Sequence, residues 1–343
     1  MSLPPSGEIP QGAIRFNTDS QRLEFYAQGE WWVMSTDTPN LGRSADSTPG
    51  ARGVFAGAYA DGAQMEYINI SSTGNGTSFG DLTVGSTTKW LSSVSSRTRG
   101  VFAGGLNPGY VSTIQFITIA STGNATNFTD TLSGVRLAMA SMSNETRGVF
   151  AGGQAPGDDH IVTIEYITIA STAQTRADFG DLIQDRRNGE GASSPTRGLI
   201  AGGSVPAVTS NMEFVTIPTL GNSQDFGDLS ESRQQCMGVD NATRALFGGG
   251  SNPGTHQSID SIYFATTGTA TNFGDLTVAR LEGGGVSSPT RGVFAGGRTA
   301  PSSTELNTID SVEIATEGNA VDFGDLNTAR RAIGHVSNAH GGL

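Results

Sequence analysis

Residues 290–297 read TRGVFAGG, and after a variable insert residues 309–326 read IDSVEIATEGNAVDFGDL. Five diverged copies of this stretch precede it. Its arginine recurs every 47 to 50 residues, at Arg52, Arg99, Arg147, Arg197, Arg244 and Arg291. The aspartate after Phe-x recurs every 47 to 51 residues, at Asp81, Asp130, Asp181, Asp228, Asp275 and Asp325. Two markers with one period predict an array of similar units rather than several unrelated domains.

Each unit contains four strand-like segments, A to D in chain order. Segment A is GGGVSSPT at residues 283–290, and segment B, GVFAGG, is apolar on both faces and ends in a Gly pair that suits positive φ. Segment C alternates, as in TIEYITIA at residues 163–170. Segment D carries a phenylalanine that we expect to pack between units: Phe79, Phe128, Phe179, Phe226, Phe273 and Phe323. Radial stacking of such units predicts an all-β propeller with four-stranded antiparallel blades.

The order of these motifs resembles the kelch repeat over nearly all of residues 41–343. The resemblance rests on the Gly pair, an acidic residue followed by an aromatic in segment C, such as Glu165 and Tyr166, an aromatic in segment D, and an arginine before the next segment A. Those arginines are Arg136, Arg186, Arg233, Arg280 and Arg330. The chain departs from the kelch pattern by using Phe where Trp is usual, and by placing Gln115 at the acidic position of the second copy. The resemblance implies a kelch-like β-propeller.

The number of blades depends on the N-terminus. We expect residues 1–12 to form an extended tail and residues 13–40 to form three short strands joined in hairpins. Residues 41–343 contain the propeller repeats. Seven A-type segments but six complete sets of B, C and D occur. We therefore expect the hairpins to pair with the final AIGHVSNAHGGL (residues 332–343) and complete a seventh blade. The alternative is six blades, with the hairpins as a separate adaptor.

Two sets of polar contacts are also expected. The arginine of each TRG should bond the acidic residue of segment C, namely Glu66, Glu165, Glu213, Asp260 or Asp310. The aspartate after Phe-Gly should accept backbone N–H bonds in the turn to the next segment A. These aspartates are Asp181, Asp228, Asp275 and Asp325.

Composition excludes several classes of partner. Gly makes up 48 of 343 residues and charged residues only 15%, which suits short strands and tight turns rather than disorder. The net charge is −12 without a basic cluster, so we expect no nucleic-acid or anionic-membrane partner. No apolar run approaches the roughly 18 residues of a membrane span. The N-terminus lacks a signal-peptide pattern, so synthesis in a cytoplasm is expected.

Sequence motifs for catalysis are weak. Asp-Phe-Gly recurs at residues 178–180, 225–227 and 322–324, but no other kinase motif accompanies it. Cys236 is the single cysteine and is interpreted as a structural filler. The histidines are not spaced as in a zinc site. We therefore expect a protein that is not an enzyme and has no cofactor or metal.

The segments between B and C vary most in length and composition. In a propeller they emerge on one face, where recognition is usually placed, although drift under no constraint is the alternative. The candidate binding residues are Tyr59, Asp61, Tyr110, Asp158, Asp159, His160, His256 and Arg298.

A second resemblance concerns the biological setting. The opening GAIRFNTDSQRLEFY with GEWW, and the tandem units, are similar to tail-fibre and other virion proteins of tailed phages, especially marine and cyanobacterial ones. In that family the opening motif lies at an attachment or trimer-forming region. The resemblance implies a tail-fibre or appendage component of the virion that binds other virion proteins through its N-terminal segment. It also implies that the protein can assemble as a homotrimer. Its loop face would meet a host-surface polysaccharide or receptor. The alternatives are a propeller glycan hydrolase or lyase and a purely structural decoration subunit.

Overall fold

The computed structural model describes residues 9–17, 22–33, 52–59, 62–83, 88–171, 173 and 175–343. The regular structure of these residues consists of β-strands, without a helix. The chain divides into two compact units, Met1–Pro49 and Gly50–Leu343. The first unit contains one antiparallel sheet, with strands in the order β1 (Ile14–Asn17), β2 (Arg22–Ala27) and β3 (Glu30–Val33).

The second unit contains the repeats. Its strands are β4 (Arg52–Ala56), β5 (Gln64–Asn69), β6 (Thr77–Asp81), β7 (Ser92–Ser95), β8 (Arg99–Ala103), β9 (Leu106–Asn107), β10 (Gly109–Tyr110), β11 (Thr113–Thr118), β12 (Thr126–Thr131), β13 (Ala140–Ser143), β14 (Arg147–Ala151), β15 (Gln154–Ala155), β16 (Asp159–His160), β17 (Thr163–Thr168), β18 (Ala177–Asp181), β19 (Glu190–Ser193), β20 (Arg197–Ala201), β21 (Ser204–Val205), β22 (Ala207–Val208), β23 (Asn211–Thr216), β24 (Gln224–Asp228), β25 (Met237–Asp240), β26 (Arg244–Gly248), β27 (Ser258–Tyr263), β28 (Thr271–Asp275), β29 (Gly284–Ser287), β30 (Arg291–Ala295), β31 (Thr308–Glu313), β32 (Val321–Asp325) and β33 (Gly334–Ser337).

These strands form six four-stranded antiparallel sheets, which we call sheets I to VI. Their strand orders are β33-β4-β5-β6, β7-β8-β11-β12, β13-β14-β17-β18, β19-β20-β23-β24, β25-β26-β27-β28 and β29-β30-β31-β32. The all-β class and the four-stranded antiparallel sheets were both predicted from the sequence and are confirmed. In sheet VI, the second strand ends at Gly296 and Gly297, whose φ values of 65° and 94° explain the glycine pair.

The phenylalanines of the fourth strands lie between neighbouring sheets, as predicted. Phe79 of sheet I packs in one cluster with Phe102 and Ile117 of sheet II. Equivalent clusters occur at each step along the chain, and Phe323 of sheet VI packs with Phe55 of sheet I. All six phenylalanines are buried, and burying one contributes about 1.5–3 kcal/mol. Each sheet therefore depends on its neighbours to shield its apolar face from water.

The C-terminal strand pairs with the first repeat. In sheet I, Gly334 of β33 lies opposite Ala56 and Val336 opposite Val54, the register that β29 and β30 use in sheet VI. This pairing differs from our expectation that the C-terminal strand joins the N-terminal hairpins, because β1, β2 and β3 pair only with one another among the described residues. The physical reason is the Gly-x-Val-Ser pattern shared by β29 and β33, which fits the free edge of β4.

Buried ion pairs join the segment that leads into the first strand of a sheet to the third strand of the same sheet. Arg186 pairs with Glu213, both side chains being almost fully buried, and Arg186 Nη1 donates to the carbonyl oxygen of Gly202 at 3.0 Å. Burial lowers the pKa of Arg186, and the Glu213 carboxylate opposes that shift. The equivalent pairs are Arg136–Glu165, Arg233–Asp260, Arg280–Asp310 and Arg330–Glu66.

Our expectation that the TRG arginines bind these acids was wrong. The antiparallel register places Arg147 opposite Thr168, at the far end of the strand from Glu165. Arg147 Nη1 instead donates to the carbonyl oxygen of Ile217 in the next sheet at 2.6 Å, and its Cζ lies 4.4 Å from the Tyr166 ring centroid. The TRG arginines therefore tie neighbouring sheets together through backbone carbonyl groups.

Sheet II replaces both members of the buried pair. Thr88 occupies the arginine position and Gln115 the acidic position, with exposed fractions of 0% and 1%. The Oε1 of Gln115 accepts bonds from the N–H and hydroxyl of Thr83 at 2.8 and 3.0 Å. The two charges are absent together, as expected if a single buried charge without its partner is destabilising.

The turn aspartates contribute a further set of hydrogen bonds between sheets. Their own N–H groups donate to an asparagine side chain of the next sheet, each at 3.0 Å: Asp81 to Asn124, Asp181 to Asn222, Asp275 to Asn319 and Asp325 to Asn75. The Asp228 carboxylate accepts from the Ser210 hydroxyl at 3.0 Å.

Candidate functional site

Two kinds of connection lie at the same end of each sheet. These are the loop between the second and third strands and the segment that enters the first strand. Isolated β-bridges join the two, as between Leu137 and Gln154 and between Leu281 and Arg298. Sheets II, III and IV carry small hairpins at this end, formed by β9 and β10, β15 and β16, and β21 and β22. We call this surface the loop face.

A circle of backbone hydrogen bonds lies on the loop face. It is formed by the residue two positions before the first strand of each sheet, and each N–H donates to the equivalent carbonyl oxygen of the preceding sheet. The N–O distances are 2.7 to 3.3 Å, and the six bonds return to their starting residue. All six residues have φ between 52° and 61°, and they are Trp90, Ala138, Asn188, Gln235, Glu282 and Ala332.

Positive φ costs a residue with a side chain about 1–2 kcal/mol. A backbone hydrogen bond contributes about 1 kcal/mol, so the circle offsets much of this cost. Trp90 is notable because a bulky residue seldom adopts φ of 52°. The circle therefore fixes the backbone from which Trp90, Asn188 and Gln235 project.

A central cavity opens inside this circle. It has a volume of about 70 Å³, and its lining includes Trp90, Asn188, Glu190, Gln235 and His335. One water needs about 10–15 Å³ by this measure, so the cavity holds a few waters or one small group of a ligand. A larger ligand would have to rest on the rim.

A second cavity of about 50 Å³, which we call the lower cavity, adjoins the first, and its lining includes serines of the first strands. The N–H of Ser95 donates to Ser143 Oγ at 3.1 Å, and that of Ser143 donates to Ser193 Oγ at 2.9 Å. The N–H of Ser193 donates to the Asp240 carboxylate at 2.5 Å. Side-chain oxygens thus bind the backbone of one sheet to the next around the cavity.

The C-terminal residues close the lower cavity. His340 Nε2 lies 3.1 Å from the carbonyl oxygen of Ser95, and the N–H of Gly341 donates to Asp240 Oδ1 at 2.6 Å. The N–H of Gly342 lies 3.1 Å from His340 Nδ1. A Cβ on Gly342 would stand 1.8 Å from the carbonyl oxygen of Ser143, so only glycine fits there.

Two titratable groups beside the cavities have altered pKa values. Burial raises the pKa of the Asp240 carboxyl, while His340 and hydrogen bonds from Gly341, Ser193 and Ser287 oppose the increase. Burial also raises the pKa of the Cys236 thiol, to about 12. Cys236 is therefore protonated at neutral pH and is no nucleophile, in agreement with its interpretation as a filler.

An aromatic and cationic cluster lies beside Trp90 on the loop face. The ring centroids of Tyr59 and Trp90 are 6.2 Å apart with an interplanar angle of 84°. Lys89 Nζ lies 3.5 Å from the Tyr59 centroid and 5.6 Å from the Trp90 centroid. Arg331 Cζ lies 4.0 Å from the Tyr59 centroid. The buried Nε1 of Trp90 has no hydrogen-bond acceptor among the described residues, which points to a water or ligand oxygen as its partner.

The sequence-predicted binding residues occupy separate parts of the loop face. Tyr59 belongs to the cluster just described, and Arg298 is bidentate to Glu282 on the cavity rim, with both N–O distances 3.0 Å. Asp61 lies outside the described residues. Asp158 pairs with Arg187, and Tyr110, Asp159 and His160 belong to the small hairpins. His256 Nδ1 lies 3.0 Å from Glu231 Oε2 in a loop of sheet V.

The rim residues were missed by the sequence reasoning. Trp90, Asn188 and Gln235 lie in the connections between sheets, whereas the predicted binding residues lie in the variable loops. A usable signal existed, because each stands two residues before a first strand. Their convergence on one cavity was not visible, since they are more than 40 residues apart in the chain.

No protein-family model matches this chain, and a search of curated proteins finds no match. Across the described ranges, no group of three or more His, Cys, Asp or Glu side chains is arranged to hold a metal ion. The part of the chain that the structure describes also contains no helix long and apolar enough to cross a membrane.

Proposed function

We propose that sheets I to VI form a closed six-bladed, kelch-like β-propeller. Three observations support closure: the pairing of β33 with β4, the circle of six hydrogen bonds, and the cluster that joins Phe323 to Phe55. The N-terminal sheet then serves as a separate adaptor. Seven blades would need β33 to pair with the N-terminal hairpins.

We further propose that the protein is a non-enzymatic recognition component that binds a saccharide on the loop face. The observation that carries this proposal is that Trp90, Asn188 and Gln235 all line the central cavity. An indole ring packs on the apolar face of a sugar, and side-chain amides both donate to and accept from hydroxyl groups. The hydrogen-bonded circle holds these groups in place before binding, which lowers the entropy cost of association.

The biological setting remains the one that the sequence resemblance implies. We propose a virion component of a tailed phage, of the tail-fibre or appendage type, attached to other virion proteins through residues 13–40. The loop face would then meet a host-surface polysaccharide. In the first unit, Ile14 and Trp32 are exposed, and both lie opposite Phe25 on one face of the sheet, which is compatible with attachment.

Binding to an array of bacterial surface polysaccharides tests this function, together with an assay for released reducing sugar. We expect binding without release, weakened about tenfold or more in Trp90→Ala. This variant should fold, because alanine already occupies the equivalent position at Ala138 and Ala332 with similar φ. Trp32→Ala, in the first unit, is the matched control and should bind normally.

Other outcomes favour the alternatives. Release of sugar would point to a hydrolase or lyase and overturn the non-enzymatic assignment. Absence of binding to every polysaccharide would favour a purely structural decoration subunit. Equal binding by wild type and Trp90→Ala would move the site away from the central cavity.

A further inference from the structure

Lys89 is the only lysine in a chain of net charge −12. It precedes Trp90, and its ammonium group lies over the Tyr59 ring at 3.5 Å from the centroid. No carboxylate among the described residues forms an ion pair with it. The cation is thus held beside the proposed saccharide site by aromatic rings.

Two arginines near Lys89 are paired with glutamates. Arg298 pairs with Glu282 at 3.0 Å, and Arg331 contacts Glu282 and Glu305 at 3.1 and 3.2 Å. These two arginines and two glutamates offset one another. Among these described side chains, Lys89 is the charged group without an oppositely charged partner.

An ammonium group carries three N–H donors, and contact with an aromatic face attracts the cation without supplying a hydrogen-bond acceptor oxygen. A carboxylate or sulfate oxygen would satisfy those donors in a charge-assisted bond. The net negative charge of the protein weakens the binding of such an anion to Lys89 only slightly, because charges further than about 8 Å away are screened at physiological ionic strength.

We infer that the saccharide bound on the loop face is acidic, with a carboxylate or sulfate group against Lys89 and an adjoining sugar ring against Trp90. This inference rests on the proposed function and specifies the charge of its ligand. The residues equivalent to Lys89 in the other sheets are Leu137, Arg187, Gln234, Leu281 and Arg331. Three of the six sheets therefore carry an uncharged residue here, so the fold does not require a cation at this position. Arg187 and Arg331 are paired with carboxylates, which distinguishes them from Lys89.

The test uses matched charged and neutral polymers. Polygalacturonate is compared with its methyl ester, and dextran sulfate with dextran, by calorimetry on the full chain. We expect at least one charged polymer to bind about tenfold tighter than its neutral partner, with an affinity that falls as salt is added. The pair that shows the preference distinguishes a carboxylate ligand from a sulfate ligand.

Lys89→Gln should abolish the preference and Lys89→Arg should retain it. Both residue types occur at equivalent positions, Gln234 and Arg331, so both variants should fold. Arg97→Gln is the charge-matched control, because Arg97 lies in the turn between β7 and β8, at the opposite end of sheet II. It should leave the preference unchanged.

Equal binding of charged and neutral polymers would overturn the inference, as would a preference that survives in Lys89→Gln. Failure of both charged polymers to bind would also overturn it. The proposed function is tested separately, by binding to the polysaccharide array and by the effect of Trp90→Ala on that binding. A neutral polysaccharide that binds in a Trp90-dependent manner would keep the function and reject the acidic ligand.

Discussion

The N–H of Trp90 donates to the carbonyl oxygen of Ala332 at 2.8 Å, which joins the entry of sheet II to the entry of the C-terminal strand. The two residues are 242 positions apart in the chain. Their contact is one of six equivalent bonds, so the C-terminal strand of this unit is held by the same geometry that joins consecutive sheets. The proposed closure and the proposed binding rim therefore depend on the same six residues.

The C-terminal strand is expected to be essential for stability. Val336 is buried with an exposed fraction of 3% and packs with Val54 and Phe102. Val336→Asp buries a charge without a partner and should lower the free energy of unfolding by about 3 kcal/mol or more. Val321→Asp, at a side chain 62% exposed, should change it by less than about 0.5 kcal/mol. Urea unfolding measures both, and similar losses would argue against a packed C-terminal strand.

The buried ion pair of sheet IV should be replaceable only as a pair. Arg186→Thr leaves the Glu213 carboxylate buried without its main partner and should cost about 3–5 kcal/mol. Adding Glu213→Gln reproduces the Thr88 and Gln115 arrangement of sheet II and should recover much of the loss. A double-variant cycle by urea unfolding checks this. A double variant no more stable than Arg186→Thr would contradict it.

Close backbone contact between first strands should make Gly191 sensitive. A Cβ at Gly191 would stand 1.8 Å from the carbonyl oxygen of Ser141, which is backbone and cannot turn aside. Gly191→Ala should therefore cost about 1–3 kcal/mol or more, as overpacking does. Gly134→Ala is the control, since a Cβ there meets nothing within 4 Å. Thermal unfolding compares the two, and an unchanged midpoint in Gly191→Ala would exclude the close packing of β13 against β19.

The raised pKa of Asp240 predicts a pH dependence. Because the pKa in the folded state lies above the unfolded value of about 4, this residue's contribution to stability is complete below pH 4 and is lost as pH rises through the folded pKa. Relative to Asp240→Asn, the wild type should therefore lose unfolding free energy as pH rises above about 4. The exposed residue Asp159 supplies the control, Asp159→Asn. Parallel curves for wild type and Asp240→Asn would refute the assignment.

Local features of the fold followed from local patterns. The alternation in TIEYITIA, the Gly pair after Ala295 and the period of the phenylalanines were enough to predict four-stranded antiparallel sheets that bury both faces. Each of these signals is contained within a few residues, because strand pleating and turn geometry are set by neighbours in the chain.

The candidate site was less accessible from sequence. Tyr59 and Arg298 were selected among the variable loops and lie near the cavity rim, but Lys89 and Trp90 were not selected. Their relevance arises from cation and ring contacts between separate sheets, which no spacing in the chain reveals.

By itself, the sequence determined the repeated unit, its strands and the apolar faces that must be covered, since these depend on residue type and period. Tertiary structure alone decided that β33 pairs with β4, that Arg186 rather than a TRG arginine binds its acidic partner, and that six separate connections surround one cavity. The physical reason is that pairing register and ion-pair choice are settled by which groups meet across neighbouring strands and sheets, where a shift of one residue exchanges every partner.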